Sequence, residues 1–257
     1  MEFIDQLNRT VTLPKSPSRI VSLVPSQTEL LVDLGLREKI VGITKFCVHP
    51  SDLKSEKTVV GGTKQVNFNK IKALRPDIVI CNKEENTEEL VGELSRIAPV
   101  WISDIVTITD NNRMIEQLGQ IFDVVSKASE IVSKIDSELA LFKNYIKGYS
   151  EKRVLYIIWK KPYMAAGRGT FIDFLLRENN YSNIFSVNAG RYPEVKQEDF
   201  LKADIILLST EPYPFKNVDM VEMTKKLNRE VKLVDGEFFS WYGSRLMKAF
   251  DYFKSLH

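Results

Sequence analysis

Cysteine is nearly absent from this sequence: Cys47 and Cys81 are the two in 257 residues. A disulfide framework is excluded at that count, although one bridge stays open. Histidine is as scarce, with His49 and the last residue, His257. A Ser-His-Asp or Cys-His catalytic site therefore has only His49 to draw on. Cys47 stands too close to it along the chain to be an obvious partner. No G-x-S-x-G, H-E-x-x-H or C-x-x-C motif occurs. An excess of one charge is missing too. The 36 basic and 34 acidic residues leave a formal net charge of +2, too even for a nucleic-acid partner or a polybasic membrane patch. No apolar run is long enough to span a bilayer. The opening residues, Met1-Glu2-Phe3-Ile4-Asp5-Gln6, hold no basic stretch followed by an apolar one, so no secretory signal is expected in the chain as written. These absences point to a binding protein rather than an enzyme.

What is present is an ordinary globular composition, 44% hydrophobic and 27% charged, in a chain long enough for one large domain or two lobes. Short apolar runs alternate with helical patterns. Residues 19–24 read as a buried strand ending at Pro25. Ser26-Gln27-Thr28-Glu29 has capping-box spacing for a helix through Leu34, which stops at Gly35. Further strands are expected at 40–43, 78–80 and 100–102, with helices at 67–74 and from the Asn86-Thr87 cap to Ile97. The paired carboxylates Glu84-Glu85 and Glu88-Glu89 read as solvated helix starts. From Asp110 to Lys147 there is no proline, and Gly119 is the sole glycine. Apolar residues recur there at helical spacing, as one long helix or as two with a break near Ser126–Ser129. Then the plan restarts. Residues 153–158 echo the first strand, a helix follows at 170–177, and Glu198 to Leu208 echoes Asn69 to Ile80. A strand at 231–234 and a helix from Trp241 to Leu256 close the chain.

The expected fold class is α/β, with two lobes, each a mainly parallel sheet flanked by helices, joined by one long helix. The lobes are placed at residues 1–109 and 149–257, with the linking helix at 110–148. Two lobes of one plan imply a ligand cleft where the strand ends meet. Loops at strand carboxyl ends carry Phe46, Trp159, Tyr163, Tyr192, Phe238, Phe239, Trp241 and Tyr242. Each is open to a core reading on its own; as a set they suggest a pocket wall. Cys47 and His49 are two apart and suit Zn, Fe or Co. A protein metal site wants three or four ligands, which Cys81 or Asp52 would have to complete. The alternative is a buried thiol beside a hydrogen-bonded loop histidine. Gly61-Gly62-Thr63-Lys64 and Gly167-Arg168-Gly169-Thr170 are polar glycine-rich loops matching neither a P-loop nor a dinucleotide fingerprint. Thr170 is expected to cap a helix, and Lys64, Arg168 and Arg245 are candidates to meet a ligand carboxylate or phosphate.

Residues 19–26 with Thr28-Glu29 resemble the opening of the periplasmic substrate-binding proteins that serve vitamin B12 and iron-siderophore ABC importers. Leu74-Arg75-Pro76-Asp77-Ile78-Val79-Ile80 resembles their "LKPDLVI" pattern. Residues 5–14, Asp5 to Pro14, resemble the leader strand of the iron-siderophore members. The resemblance covers essentially the whole chain and implies a helical-backbone (class III) binding protein whose stiff linking helix allows only small opening and closing. The implied ligand is a corrinoid, haem or ferric siderophore, carried as cargo with no intrinsic cofactor. The implied partners are the importer's membrane subunits, and the implied state is a monomer in the periplasm or another extracytoplasmic compartment. A soluble cytoplasmic chelate-binding or salvage protein is the alternative, and a metal-dependent enzyme using Cys47 and His49 is a third reading. In the resemblance His49 becomes an axial ligand or hydrogen-bond partner of the cargo's metal. The vitamin B12 binders line their cleft with tryptophans; two of those places hold Thr63 and Asn82 here, a third Tyr192, and a fourth aromatic place Phe238. Docking in the family uses one acidic residue per lobe. Glu198 matches the second, whereas the first is the amide Asn69.

Overall fold

The strand segments are continuous apolar runs, the pattern of parallel strands covered on both faces. The computed structural model describes residues 1–13 and 16–257; Pro14, the end of the leader segment, lies outside the described residues. The chain divides into two compact units, Met1–Asp136 with Tyr242–Met247, and Ser137–Trp241 with Lys248–His257.

The first unit opens with an antiparallel pair, β1 (Glu2–Ile4) and β2 (Thr10–Thr12). There follow β3 (Ile20–Ser22), α1 (Pro25–Asp33), β4 (Ile40–Thr44), α2 (Leu53–Glu56), β5 (Thr58–Gly61), α3 (Phe68–Leu74), β6 (Ile78–Asn82), α4 (Glu88–Ser95), β7 (Val100–Ser103), α5 (Ile108–Phe122) and the start of α6 (Val125–Ile146). The sheet is parallel, in the order β5-β4-β3-β6-β7. One face packs Val21, Val79 and Ile102 against Ile71, Leu90 and Leu94 of the covering helices. The second unit carries β8 (Lys152–Trp159), β9 (Met164–Ala165), α7 (Phe171–Glu178), β10 (Tyr181–Asn183), α8 (Asp199–Lys202), β11 (Ile205–Ser209), α9 (Asn217–Leu227), β12 (Glu230–Val234), α10 (Gly236–Ser240) and most of α11 (Leu246–Lys254). Its parallel order is β10-β8-β11-β12, with the short β9 antiparallel to β8. This is the expected α/β class, with a mainly parallel sheet in each unit.

Several helix starts follow their local chemistry. Asn67, Thr87 and Thr170 accept from the backbone N–H three residues on, satisfying donors that have no partner within α3, α4 and α7. Ser26 does not cap α1. The helix begins at Pro25, whose missing N–H and fixed φ suit a first helical position. Thr28 therefore lies inside the first turn, its hydroxyl 2.9 Å from the Val24 carbonyl and hydrogen-bonded to Ser22 Oγ at 2.8 Å. A true capping box stands at Thr107 and Asp110, opening α5.

The central segment is two helices. The break falls at Asp123, in the left-handed region at φ 59°, a few residues before Ser126–Ser129. The buried residues of α5 include Met114, Ile115, Leu118, Ile121 and Phe122. Of these two helices it is α6 that runs from the first unit's residues into the second's. The closing helix also differs from expectation: α11 begins at Leu246, and Trp241 to Arg245 form a bend with Gly243 at φ 94°.

Candidate ligand-binding site

Parallel α/β sheets bind ligands where the strand order reverses, because the loops leaving two adjacent strands diverge there. In the first unit β3 leads to β4 on one side, while its neighbour β6 leads to β7 on the other. In the second unit the same reversal separates β8 from β11. Each unit thus has its own switch point, at the carboxyl ends of β3 and β6 and of β8 and β11.

The switch point of the first unit is polar and densely bonded. Gln27, buried near the start of α1, donates to Ser103 Oγ at the end of β7 and to the Tyr242 hydroxyl at 3.3 Å. Gln27 Oε1 is buried and, among the described residues, has no hydrogen-bond partner. Tyr242 is also hydrogen-bonded to Ser26 and Ser103; burial, with Glu85 nearby, pushes its phenol well above its ordinary range. Asn82 ends β6 and donates to Ser103 O at 3.2 Å and Oγ at 3.0 Å. Its Oδ1 accepts from the backbone N–H groups of Glu84 and Glu85 at 2.8 and 3.2 Å. Burial raises the carboxyl pKa of the half-buried Glu85, against the opposing pull of Lys64 and a hydrogen bond from Thr63.

Phe46, just beyond β4, is exposed, with its ring edge 3.3 Å from where a Cβ on Gly62 would stand. Lys45 Nζ lies 5.0 Å from the ring centre. Lys64 is exposed, and His49 is partly buried. Cys47 points into the core, where the hydroxyls of Thr28 and Thr44 hydrogen-bond its sulfur at 3.2 and 3.3 Å. Burial pushes its thiol up, which disfavours the thiolate a metal would need. Cys81 is likewise buried, its thiol pushed up to about 12. Among the described residues no group of three or more His, Cys, Asp and Glu is placed to hold a metal ion.

The second unit's switch point is aromatic. Trp159 ends β8 with its ring edge-on to Tyr213, centroids 5.7 Å apart, and Tyr213 packs on Phe215 at 4.6 Å. Lys160 pairs with Asp219 at 2.5 Å, which lowers the Asp219 carboxyl. Below them Ser209 Oγ accepts from the buried Tyr156 hydroxyl at 3.1 Å and donates to the Glu211 carbonyl. Ser240 donates to the Glu211 carboxylate. Tyr192 lies on the segment that runs beside β9, where the Pro193 carbonyl accepts from Ala165 N–H. Thus Phe46, Trp159 and Tyr192 are 48%, 43% and 44% exposed, each beside the carboxyl end of its sheet.

Other candidates are committed elsewhere. Arg245 holds both carboxylate oxygens of Glu29, at 2.9 and 3.0 Å, with both side chains largely buried. Arg168 donates to the carbonyls of Phe185 and Asn183 and lies 3.8 Å from Asp173. Tyr163 packs edge-on against Phe200, and Phe238 stacks on Tyr252 at 4.6 Å. Trp241 and Tyr242 are buried. Glu198 precedes α8 with a side chain 70% exposed, and Lys202 Nζ lies 3.9 Å away. Glu85 is the residue that sequence reasoning passed over.

The chain matches the family described as periplasmic binding protein over residues 20–230. It is 26% identical to an uncharacterized ABC transporter substrate-binding lipoprotein, YvrC of Bacillus subtilis (strain 168), over 95% of this chain and 81% of that one. The vitamin B12-binding protein of Vibrio parahaemolyticus (serotype O3:K6, strain RIMD 2210633) is 25% identical, covering 75% of this chain and 70% of its own. A solved periplasmic heme binding protein from Pseudomonas aeruginosa superposes with a TM-score of 0.81 at 20% identity, over 93% of this chain and 92% of that one. At that identity the likeness is one of fold. Among the described residues no helix is long and apolar enough to cross a membrane. The chain belongs to the periplasmic binding protein family, whose members are extracytoplasmic, non-enzymatic solute-binding components of ABC transport systems.

Proposed function

We propose that this protein is the substrate-binding component of an ABC importer for a metal chelate, a corrinoid, haem or ferric siderophore. The observation that carries the reading is the exposure of Phe46, Trp159 and Tyr192 on carboxyl-end loops, against a family match spanning most of the chain. Large aromatic faces left in water suit a flat or bulky apolar cargo, and their burial on binding supplies affinity without demanding one orientation. The metal arrives inside its chelate as cargo. His49 is offered as a group that meets that metal or its chelator. The buried Cys47 is not offered. The exposed carboxylate of Glu198 is the proposed contact with a basic surface of the importer.

Purified protein titrated with dicyanocobinamide, haemin and a ferric hydroxamate siderophore should show a saturable change in visible absorption and a raised melting temperature with one of them. Trp101 and Trp241 are buried, so tryptophan quenching that vanishes in Trp159→Phe maps the contact to the second unit. No absorption change and no thermal shift with any of the three would refute the cargo class. A bound-state spectrum unaltered by His49→Ala would remove His49 from the site.

A further inference from the structure

Glu85 is a carboxylate held half out of water with, among the described residues, no ion pair. An ionised carboxylate in such a place is costly unless something compensates it. Its placement is nevertheless built. The buried Asn82 fixes the turn by accepting from Glu84 and Glu85 N–H, a local amide-to-backbone turn. Asn86 locks Asn82 from behind, its Oδ1 accepting from Asn82 N–H at 2.8 Å. Its Nδ2 donates to the Thr63 carbonyl at 2.7 Å. Thr63 in turn hydrogen-bonds the Glu85 carboxylate. Tyr242 stands close enough for Glu85 to strengthen the hold on its proton. Gln27, bonded to the same Tyr242 hydroxyl, keeps a buried acceptor oxygen with no hydrogen bond among the described residues. The cluster is thus rich in acceptors, and it adjoins the loop whose Gly62 lies under the exposed ring of Phe46.

We propose that Glu85 is the specificity-determining residue of the first unit, selecting cargo whose rim presents neutral carboxamide N–H donors over cargo whose rim presents carboxylates. The inference rests on the metal-chelate reading above and narrows it. A neutral amide donates into the carboxylate's lone pairs without adding charge. A cargo carboxylate would set two like charges together where water is partly excluded, a repulsive element that rejects the wrong partner. Lys64, already acting on Glu85, makes a cationic rim the poorer match.

The test uses the full chain and two pairs of probes that differ only in rim chemistry. One pair is dicyanocobinamide and dicyanocobyrinic acid; the other is haem with both propionates amidated and haem itself. Like-charge juxtaposition predicts that the wild type prefers the amide member of the pair it binds by about tenfold or more in Kd. Glu85→Gln should bring that ratio close to unity. Glu88→Gln, an exposed acid at the start of α4, should leave it as in the wild type. Equal affinity for both members, or equal shifts from the two variants, overturns the role of Glu85 while the cargo reading stands. Binding of neither member of either pair overturns this proposal, and it overturns the cargo reading as well only when a ferric hydroxamate siderophore also fails to bind. Melting curves of each variant keep a folding defect from passing as a loss of selectivity.

Discussion

Helices α5 and α6 meet at a point where neither has room for another methyl group. A Cβ built on Gly119 would stand 2.6 Å from the Ala128 Cβ and 3.5 Å from the Val125 Cα. Two carbon atoms rest at roughly 3.5–4.0 Å, so Gly119→Ala must separate the helices locally by about 1 Å. Leu118, Ile121 and Phe122 are buried beside it, which leaves little slack for that movement. Overpacking of this kind costs about 1–3 kcal/mol. Replacing glycine by alanine within a helix returns about 0.8–1.0 kcal/mol, so the net loss is about 1 kcal/mol in mid-range. Urea unfolding followed by far-UV circular dichroism should show a lower midpoint with an unchanged slope. Ala128→Gly removes the opposing methyl, so the double variant should be more stable than the sum of the two single changes allows. A Gly119→Ala protein as stable as the wild type, or simple additivity in the double variant, would refute the close-approach argument.

Arg245→Met should lower stability by about 2–4 kcal/mol, because it strands the largely buried Glu29 carboxylate; Glu29→Gln on the same chain should recover most of the loss. Unchanged denaturation together with weakened cargo binding would instead return Arg245 to the ligand site. The Asp204 carboxyl is held at about 2, below its ordinary 3.8, chiefly by the hydrogen bond from the Arg153 guanidinium. A depressed carboxyl stabilises the fold above its unfolded value and loses that contribution as pH falls through the folded one. Asp204→Asn should therefore lower the denaturation midpoint at neutral pH and flatten its fall between pH 3.8 and about 2. Both partners are well exposed, so added salt should shrink the difference. Glu85 has the opposite sign. Its folded carboxyl is raised by burial, so the wild type should lose stability as pH rises through the window above the ordinary value of 4.5. Glu85→Gln should be the more stable protein at pH 7 by thermal melting; a less stable one would mean that the charged form is well paired.

The strands were legible because each is a short unbroken apolar run closed by a turn residue, and parallel pairing needs no more local signal than that. Thr87 and Thr170 were legible as caps because their side chains act within three residues. Ser26 misled because capping-box spacing says nothing of where the helix begins, and Pro25 takes the first position itself. The break between α5 and α6 was misplaced because Asp123 tolerates the left-handed region where most residues do not. Phe46, Trp159 and Tyr192 could be placed on loops from order along the chain alone. Arg245 could not be resolved that way, since Glu29 lies 216 residues away in sequence. Cys47 is similar: Thr28 and Thr44 reach its sulfur only once β4 and α1 pack. Glu85 hid within the acidic run from Glu84 to Glu89, which reads as solvated. The signal was Asn82 and Asn86, four apart and bracketing the pair of carboxylates, a spacing that lets two amides pin a turn.

The two switch points share one topology and differ in chemistry. Around β8 and β11 the exposed group is Trp159, backed by Tyr213 and Phe215. Contact there is broad and indifferent to which polar groups surround a cargo, because dispersion and apolar burial have little direction. Around β3 and β6 the groups are Gln27, Asn82, Glu85 and Tyr242, whose hydrogen bonds fix both direction and sign. Directional acceptors add little when matched and cost much when mismatched, so they act as a filter more than as a source of affinity. The physical division of labour follows. Under the proposed roles, losing the Trp159 ring should weaken binding of each cargo tested by a similar factor, whereas changing Glu85 should reorder which cargo is preferred.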